Sequence, residues 1–237
     1  MKTIIVIGAG IVGVSTAIWL QRSGFKVTII DQKGPATGAS HGNAGILAAS
    51  SIIPVPNPSL IKKLPFFLLS KKSPVFFKMS YLPKMFPFLM SYLSKSNLRE
   101  VNKYAERMTP LIFDTVCQHG SLAKGTGAEK FISNQDYCFG YETEQKFIND
   151  KKVWELRKKH GLPFEVVTGN EFSKFDPFYK DLFDVIVKCK NHGKINDPGL
   201  YVKTLCDHFL SKGGELIIST VKDISCLLYT SPSPRDS

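Results

Sequence analysis

The stretch TIIVIGAGIVG, residues 3–13, decides the fold of this 237-residue chain. Its first part, Thr3–Ile7, is β-branched and uncharged, which predicts a strand buried on both faces of a parallel sheet. Gly8 permits a sharp turn, Gly10 lets the backbone approach a pyrophosphate, and Gly13 lets the following helix pack closely on the strand. The stretch therefore predicts the start of a Rossmann-like α/β fold with a dinucleotide site.

A helix, a second strand and an acidic residue complete this pattern. The helix is predicted from Ile11 to Ser23, with its N-terminal N–H groups and positive dipole end facing the phosphates, and Gly24 ends it. Lys26–Ile30 is predicted to be the second strand. Asp31 follows this strand. A carboxylate that binds a ribose hydroxyl is expected about 20 residues beyond the glycines, and Asp31 lies near that spacing.

The uncharged run Thr3–Gln21 also resembles a secretory signal peptide. Three spaced glycines, the lack of a small-residue cleavage site and the continuation into a strand argue against that alternative. The cysteines show neither metal-ligand spacing nor the density of a disulfide framework. We therefore expect a reducing, cytoplasmic setting and no metal site; the cysteines are Cys117, Cys138, Cys189, Cys206 and Cys226.

The segment after Asp31 is rich in glycine and small residues. Gly38-Ala39-Ser40 and Asn43-Ala44-Gly45 resemble two elements of the FAD-dependent D-amino acid oxidase and glycine oxidase superfamily, and within it most closely the bacterial D-amino acid dehydrogenases. In that family the segment passes beneath the flavin pyrophosphate and ribityl chain, where small residues let backbone amides approach the cofactor. The resemblance implies FAD as the cofactor, whereas composition alone also fits an ordinary glycine-rich surface loop.

The resemblance also implies which residues contact the cofactor. The glycine turn is expected to bind the pyrophosphate, and Asp31 the adenosine ribose. Residues Ser40 through Ile46 are expected to contact the flavin, and Val221 the adenine. The predicted cofactor-binding residues are Gly8, Ala9, Gly10, Ile11, Val12, Gly13, Asp31, Gln32, Ser40, His41, Asn43, Ala44, Gly45, Ile46 and Val221.

The sequence gives one prediction about His41 and another about the remaining histidines. His41 stands one position away from the histidine through which some members of the family attach FAD covalently, so noncovalent FAD is expected. The other histidines have no cysteine or carboxylate at metal-ligand spacing. They are predicted to be surface residues: His119, His160, His192 and His208.

Most of the net charge of +11 lies in residues 60–107, which also contain short aromatic blocks. The longest uncharged run there, Met85–Ser94, is well below the ~20 residues that a membrane-spanning helix needs. Two alternatives stay open: peripheral contact with an anionic membrane face, or a proline-broken core that covers the substrate cavity, as the resemblance implies. Nucleic acid is not an expected partner because no binding module accompanies the charge.

The middle of the chain resembles the family's substrate domain, in which a mainly antiparallel sheet lies over the flavin. Beyond Asn97, mainly apolar residues recur at spacings of three and four positions, which predicts a helix. Phe131–Ile132 and Tyr137–Phe139 are predicted strands, Glu142–His160 is a predicted charged helix, and Phe164–Val167 is a further predicted strand.

The chain then returns to the pattern of a cofactor domain. Asp197 is predicted to cap a helix that has Pro198 at its first position and ends at Ser211. Glu215–Thr220 is the next predicted strand. The last residues, Cys226–Ser237, resemble the translation of a sequencing adaptor, and we expect the natural protein to continue differently and further.

The fold class implied is α/β: a Rossmann-like FAD-binding domain with an inserted α+β substrate domain, truncated at the C-terminus. The predicted organisation is a first part of the FAD-binding domain in residues 1–50, a partial substrate or cap domain in 51–190, a return to the FAD-binding domain in 191–225, and an adaptor-derived tail in 226–237.

The resemblance implies oxidation of the CH–NH₂ group of D-amino acids to 2-oxo acids by hydride transfer to flavin. Electrons would pass to a quinone of the respiratory chain at the cytoplasmic face of the inner membrane. Alternatives are a glycine- or sarcosine-type oxidase, a 2-hydroxy acid oxidase, and a non-catalytic hydrophobic fragment. The family's substrate-binding arginine lies in a C-terminal half that has no counterpart here, so no catalytic residue is predicted.

Overall fold

The computed structural model describes residues 2–54 and 79–224, which divide between two compact units. Of these residues, unit 1 contains 2–45, 120–132 and 195–224, and unit 2 contains 46–54, 79–119 and 133–194. Part of the basic and aromatic segment, residues 60–78, and the predicted adaptor-derived tail lie outside the described residues.

The described residues form nine strands and eight α-helices. The strands are β1 (Thr3–Ile7), β2 (Lys26–Asp31), β3 (Ile46–Leu47), β4 (Ile132–Asn134), β5 (Tyr137–Tyr141), β6 (Phe164–Thr168), β7 (Val185–Cys189), β8 (Gly193–Ile195) and β9 (Glu215–Ile218). The helices are α1 (Ile11–Arg22), α2 (Leu82–Ser94), α3 (Leu98–Ile112), α4 (Thr115–Ala123), α5 (Glu144–Asn149), α6 (Lys151–Lys159), α7 (Gly169–Phe175) and α8 (Pro198–Ser211).

Unit 1 contains a parallel sheet in the order β1-β2-β9, which brings the N-terminal strands beside a strand from late in the chain. Helices α1 and α8 pack together, and the Gln21 side-chain amide donates to the carbonyls of Phe209 and Lys212 at 3.1 Å each. The buried side chains of the two helices include Ile18, Leu205 and Phe209. The parallel start of an α/β fold is therefore confirmed.

The prediction that β1 is buried on both faces is wrong. Ile5 and Ile7 are 60% and 52% exposed. Successive side chains of a strand point to opposite faces, and Val6 is the one that lies toward α1, near Gly13. Among the described residues, helix packing thus covers the Val6 face of β1 and leaves the Ile5 and Ile7 face open.

The helix α8 forms as predicted. The Asp197 carboxylate accepts a hydrogen bond from the N–H of Leu200 at 2.9 Å, and Pro198 occupies the first turn. The strand after it is shorter than predicted, because β9 ends at Ile218 rather than at Thr220.

Unit 2 contains an antiparallel sheet in the order β5-β7-β6. Its core is formed by Trp154, Val187 and Cys189, with partly buried aromatic rings packed around them. The predicted strands at β5 and β6 are confirmed and extend slightly further. The central strand β7 was not predicted.

The predicted single helix from Glu142 to His160 is wrong, because Asp150 ends α5 and precedes α6. The Tyr141 hydroxyl donates to the Asp150 carboxylate at 3.2 Å, and the Trp154 indole N–H donates to the Tyr141 oxygen at 2.8 Å. Asp150 has a φ of −96° and a ψ of 4° at the junction of the two helices, and these contacts bind its side chain to β5.

The prediction that the remaining histidines lie at the surface is wrong for His192, which is only 3% exposed. Long-range contacts in unit 2 bury it. The other three are partly buried: His119, His160 and His208. No helix among the described residues combines the length and apolar character needed to cross a membrane.

Candidate functional site

The glycine turn after β1 has the conformation that its sequence predicts. Gly8 has a φ of +103°, which a side chain disfavours, and its N–H donates to the Ile30 carbonyl at 2.8 Å. A Cβ atom on Gly13 would lie 1.8 Å from the Gly8 carbonyl oxygen. Only glycine therefore allows α1 to pack this closely against the end of β1.

The N-terminus of α1 receives a side chain from a distant part of unit 1. The N–H of Ile11 donates to the Ser40 hydroxyl oxygen at 3.0 Å, and a Cβ atom on Gly10 would lie 3.4 Å from that oxygen. The first turn of α1 carries no acidic side chain, and Val12 is exposed there. The helix end therefore presents N–H groups, and its own first turn adds no negative charge, which suits a phosphate.

Asp31 joins the end of β2 to the glycine turn. Its Oδ2 accepts a hydrogen bond from the N–H of Ala9 at 2.8 Å, and its Oδ1 accepts from the N–H groups of Lys33 and Gly34 at 2.8 and 2.9 Å. Burial acts to raise the pKa of the Asp31 carboxyl, but the three backbone donors lower it below its ordinary value. The ionised carboxylate retains one of its about four acceptor positions, on Oδ2.

The segment that resembles the flavin-binding part of the family is folded by one of its own side chains. The Asn43 amide donates to the Ala39 carbonyl at 3.0 Å and accepts from the N–H of Gly45 at 2.8 Å. Gly45 has a φ of +65°, and a Cβ atom there would lie 2.1 Å from the Ile195 carbonyl oxygen. A specific set of contacts thus shapes this glycine-rich segment.

The exposed positions of the same segment are His41, Gly42, Asn43, Ala44 and Ile46. The His41 Nδ1 lies 3.1 Å from the position that a Cβ atom on Gly199 would take, in the first turn of α8. Ile46 belongs to unit 2, whereas the other predicted cofactor residues belong to unit 1. Noncovalent attachment of FAD stays a prediction.

The carboxyl ends of β2 and β9 meet at one edge of the parallel sheet. The N–H of Ser219 donates to the Asp31 carbonyl at 2.9 Å, and the exposed Val221 follows two residues later. Gln32 is also exposed next to Asp31. Ligands of open α/β sheets bind at the carboxyl ends of the strands, so these residues occupy the edge where a nucleotide is expected.

Sequence reasoning missed Ala36. Ala36 is buried, has a φ of +60°, and donates its N–H to the Ala9 carbonyl at 3.1 Å. Left-handed backbone is unfavourable for alanine, and no residue type in the sequence marked this position. The contact adds a second connection between the glycine turn and the chain after Asp31.

Known proteins are similar to this chain in sequence over most of its length. The family model described as "FAD dependent oxidoreductase" (DAO) matches residues 3–226. A D-amino-acid oxidase of Bradyrhizobium diazoefficiens is 35% identical over 219 residues, which cover 91% of this chain and 52% of that protein. A D-amino acid dehydrogenase 1 of Mesorhizobium japonicum is 28% identical over 165 residues, covering 69% of this chain and 40% of that protein.

Among solved structures, a glycine oxidase from Bacillus cereus is similar in fold, with a TM-score of 0.60 at 18% identity. The alignment covers 96% of this chain and 50% of that one. The chain therefore spans about half the length of these two relatives, the Bradyrhizobium oxidase and the Bacillus cereus glycine oxidase.

Proposed function

This chain belongs to the DAO family of FAD-dependent oxidoreductases, and we propose that its unit 1 binds FAD for the oxidation of D-amino acids. The observation that carries the proposal is the Asp31 carboxylate, bonded to Ala9 of the glycine turn at 2.8 Å. This bond supports the proposal because it joins the acid that we assign to the ribose to the glycine turn that we assign to the pyrophosphate. We assign unit 1 to the FAD-binding domain and unit 2 to part of the substrate domain.

The residues of unit 1 fit the pyrophosphate and the ribose. The N-terminus of α1 has N–H groups, no acidic side chain in its first turn, and no side chain at Gly10 to obstruct a phosphate. The acceptor position left on the Asp31 Oδ2 suits a ribose hydroxyl donor. Gly8, Gly10 and Gly13 would line the pyrophosphate, with Ser40 beside the first N–H of the helix.

The segment from Ser40 to Ile46 would hold the flavin. Asn43 uses its side chain to fold the segment, so that the small exposed residues beside it are open to a ligand. Bound FAD would supply the acceptor for a hydride from the substrate α-carbon, and this chain would supply binding and orientation. Val221, beyond β9, would contact the adenine.

The substrate class follows from the relatives. The proteins of Bradyrhizobium and Mesorhizobium are named for D-amino acids, so a D-amino acid is the proposed substrate and a 2-oxo acid the product. A glycine- or sarcosine-type oxidase is the second candidate, which the fold of the Bacillus cereus glycine oxidase favours.

We also propose that α2 makes a peripheral membrane contact. Phe86 and Phe88 are 60% and 63% exposed, and Met90 of the same helix is also exposed. The segment that contains α2 in the sequence, residues 60–107, is strongly basic, and its positive charge adds electrostatic attraction to anionic lipids. A respiratory quinone at the cytoplasmic face of the inner membrane is the electron acceptor that such a contact would serve.

The test is a titration of the full 237-residue chain with FAD, followed by flavin fluorescence and by the visible spectrum after gel filtration. We expect saturable binding that Asp31→Ala weakens and that Asp207→Ala, an exposed acid on α8, leaves unchanged. The loaded chain is then mixed without oxygen with D-alanine, L-alanine, glycine or lactate. Bleaching by D-alanine supports the proposed substrate, whereas absence of FAD binding would overturn the proposal and favour a non-catalytic fragment.

A further inference from the structure

The most exposed aromatic side chains that the structure describes lie in unit 2, where α7 ends and a 3₁₀ turn follows. Phe175, the last residue of α7, is 84% exposed. Phe178, in the turn Pro177–Tyr179, is 79% exposed. Tyr179 and Leu182 are exposed beside them. We call this set, Phe175, Phe178, Tyr179 and Leu182, the α7 patch.

The α7 patch is continuous with a cluster of partly buried rings. The ring centroid of Phe172 lies 6.0 Å from that of Phe175 and 6.0 Å from that of Tyr179. The Tyr179 centroid lies 5.1 Å from that of Phe178 and 6.1 Å from that of Phe183. These distances are typical of rings in contact. The exposed rings therefore form one apolar surface on a layer of other rings, and they are not scattered single side chains.

Hydrogen bonds and close packing fix the backbone that carries the α7 patch. The Thr168 hydroxyl and the Glu171 carboxylate form a capping box at the start of α7. The N–H of Gly169 donates to the Asp184 carbonyl at 2.9 Å. A Cβ atom on Gly169 would lie 1.7 Å from the Phe183 carbonyl oxygen. Because this backbone is already ordered, little conformational entropy would be lost when the patch binds a partner.

The α7 patch is large for the surface of a monomer. A whole aromatic side chain has about 150–250 Å² of surface, so the exposed fractions of the three rings amount to roughly 400 Å². The largest apolar patch of a typical monomer measures about 300–600 Å². Two such patches in contact would bury roughly 800 Å² from the rings alone. With Leu182 and the flanking chain, the contact reaches the ~1,000 Å² that a specific interface needs.

The charged residues around the α7 patch alternate in sign. In chain order they are basic, acidic, basic and acidic: Lys174, Asp176, Lys180 and Asp181. Asp176 is partly buried and the other three are exposed. In a two-fold contact that runs two copies of this segment in opposite directions, Lys174 would face Asp181 of the other copy. Asp176 would likewise face Lys180. The segment is therefore complementary in charge to a second copy of itself.

The α7 patch differs in charge from the exposed aromatic helix α2. That helix lies within residues 60–107, which carry most of the net charge of +11, so two copies that met there would repel each other. Residues 169–184 instead contain two basic and four acidic residues. Of the two acids outside the alternating order, Glu171 caps α7 and Asp184 accepts from the N–H of Glu144 at 3.3 Å. A strongly basic chain can therefore meet a second copy at the α7 patch without that repulsion.

We propose that the α7 patch is the contact surface for a second copy of this chain, joined about a two-fold axis. The aromatic rings of the two patches lie against each other, and the four charged residues form pairs of opposite sign around them. The proposal does not depend on FAD binding, because every residue that carries it lies in unit 2. An interface of this size belongs to the weak class, so we expect a Kd on the order of 10–100 μM. Well below that range the chain is monomeric.

The test is analytical ultracentrifugation of the 237-residue chain from about 1 μM to several hundred micromolar. We expect the average mass to rise from that of one chain toward that of two chains and no further. The double variant Phe175→Ser and Phe178→Ser loses the apolar contact, so its Kd for self-association should be at least about tenfold higher. The double variant Phe86→Ser and Phe88→Ser, at exposed rings of α2, is the matched control and should associate as wild type does.

Two charge variants test the pairing of the charged residues. Lys174→Glu with Lys180→Glu makes the alternating residues wholly acidic, and Asp181→Lys makes them mainly basic. Each variant alone brings like charges together, so its Kd should be about tenfold higher than that of wild type. A mixture of the two should associate more tightly than either alone, because most of the facing pairs are again of opposite sign.

The outcomes separate a second copy from other occupants of the α7 patch. A wild-type chain that stays monomeric throughout, or association that Phe175→Ser with Phe178→Ser leaves unchanged, would overturn the proposal. Growth beyond two chains would also overturn it and indicate open-ended aggregation through another surface. Vesicle binding by a monomeric wild type that the same variant loses would assign the patch to lipid instead. Circular dichroism establishes that each variant is folded, and should the serine variant not fold, the charge variants and their mixture decide.

Discussion

The Asp31 Oδ2 accepts a hydrogen bond from the N–H of Ala9 at 2.8 Å, which ties the end of β2 to the glycine turn after β1. Two further N–H groups, from Lys33 and Gly34, bind the other oxygen of the same carboxylate. Asp31 is therefore a structural residue of the turn as well as the proposed ribose ligand, and its substitution should affect both stability and FAD binding.

We expect Asp31→Asn to lower the free energy of unfolding by about 1–3 kcal/mol, the usual effect of leaving a hydrogen-bonding group without its partner. The asparagine oxygen can still accept from Lys33 and Gly34, but its NH₂ group would then face the N–H of Ala9. Urea denaturation monitored by circular dichroism measures the loss, and Asp207→Asn on α8 is the control. Equal stability of Asp31→Asn and wild type would show that the carboxylate does not hold the turn.

The free energies of unfolding of wild type and Asp31→Asn should differ less at acidic pH. Because the pKa of Asp31 is lowered in the fold, its contribution is complete above the ordinary carboxyl value of 3.8 and is lost as the pH falls through the lower value of the folded state. We expect the stability difference between wild type and Asp31→Asn to shrink below about pH 4. A difference that stays constant from neutral to acidic pH would contradict an ionised Asp31.

Gly13 and Gly120 should respond in opposite directions to alanine. A Cβ atom on Gly13 would lie 1.8 Å from the Gly8 carbonyl oxygen, so Gly13→Ala should cost about 2–3 kcal/mol of unfolding free energy. Gly120 lies within α4 with open space around it, and Gly120→Ala should add about 0.5–1 kcal/mol. Thermal and urea unfolding of the two variants provide the comparison, and loss of stability in both would argue against a specific role for Gly13.

The cap of α8 should be replaceable by another capping residue. Asp197→Ala removes the acceptor for the N–H of Leu200 and should lower stability by about 1 kcal/mol, whereas Asp197→Ser should retain most of it. Denaturant midpoints measured side by side test this. Equal losses in the two variants would assign the effect of Asp197 to something other than capping.

Membrane contact at α2 should depend on its exposed aromatic rings. We expect the double variant Phe86→Ser and Phe88→Ser to sediment less with phosphatidylglycerol vesicles than wild type, because it removes apolar surface that would enter the lipid interface. Phe175→Ser, at an exposed ring of α7, is the matched control. Binding that salt does not weaken, or that Phe175→Ser reduces equally, would contradict a docking site that combines the aromatic rings of α2 with the basic residues of segment 60–107.

Much of the proposed cofactor site was predictable from local sequence. The order of β1, Gly8, α1 and β2 follows from periodicity and glycine spacing, and these elements form with nearly the predicted bounds. The capped start of α8 was predictable for the same reason. Such features depend on residues a few positions apart, whose backbone preferences act in any surroundings.

Other features had no local signal. His192 was expected at the surface, yet it is buried against Ser50, 142 positions away. Asp150, whose carboxylate is bound by Tyr141 of β5, lies at the junction that divides a predicted helix into α5 and α6. Among the described residues, α1 packs on the Val6 face of β1 while Ile5 and Ile7 stay exposed, a difference between the two faces that the almost uniformly apolar strand sequence does not indicate.

The sequence by itself thus determined the family, the parallel α/β start and the glycine turn, because local backbone geometry and residue spacing are sufficient for each of these. Only the tertiary structure decided that Ser40 meets the first N–H of α1, that Asp31 binds the turn, and that His192 holds Ser50. Those contacts join residues distant along the chain, and their hydrogen bonds form only after packing has brought donor and acceptor together and removed competing water.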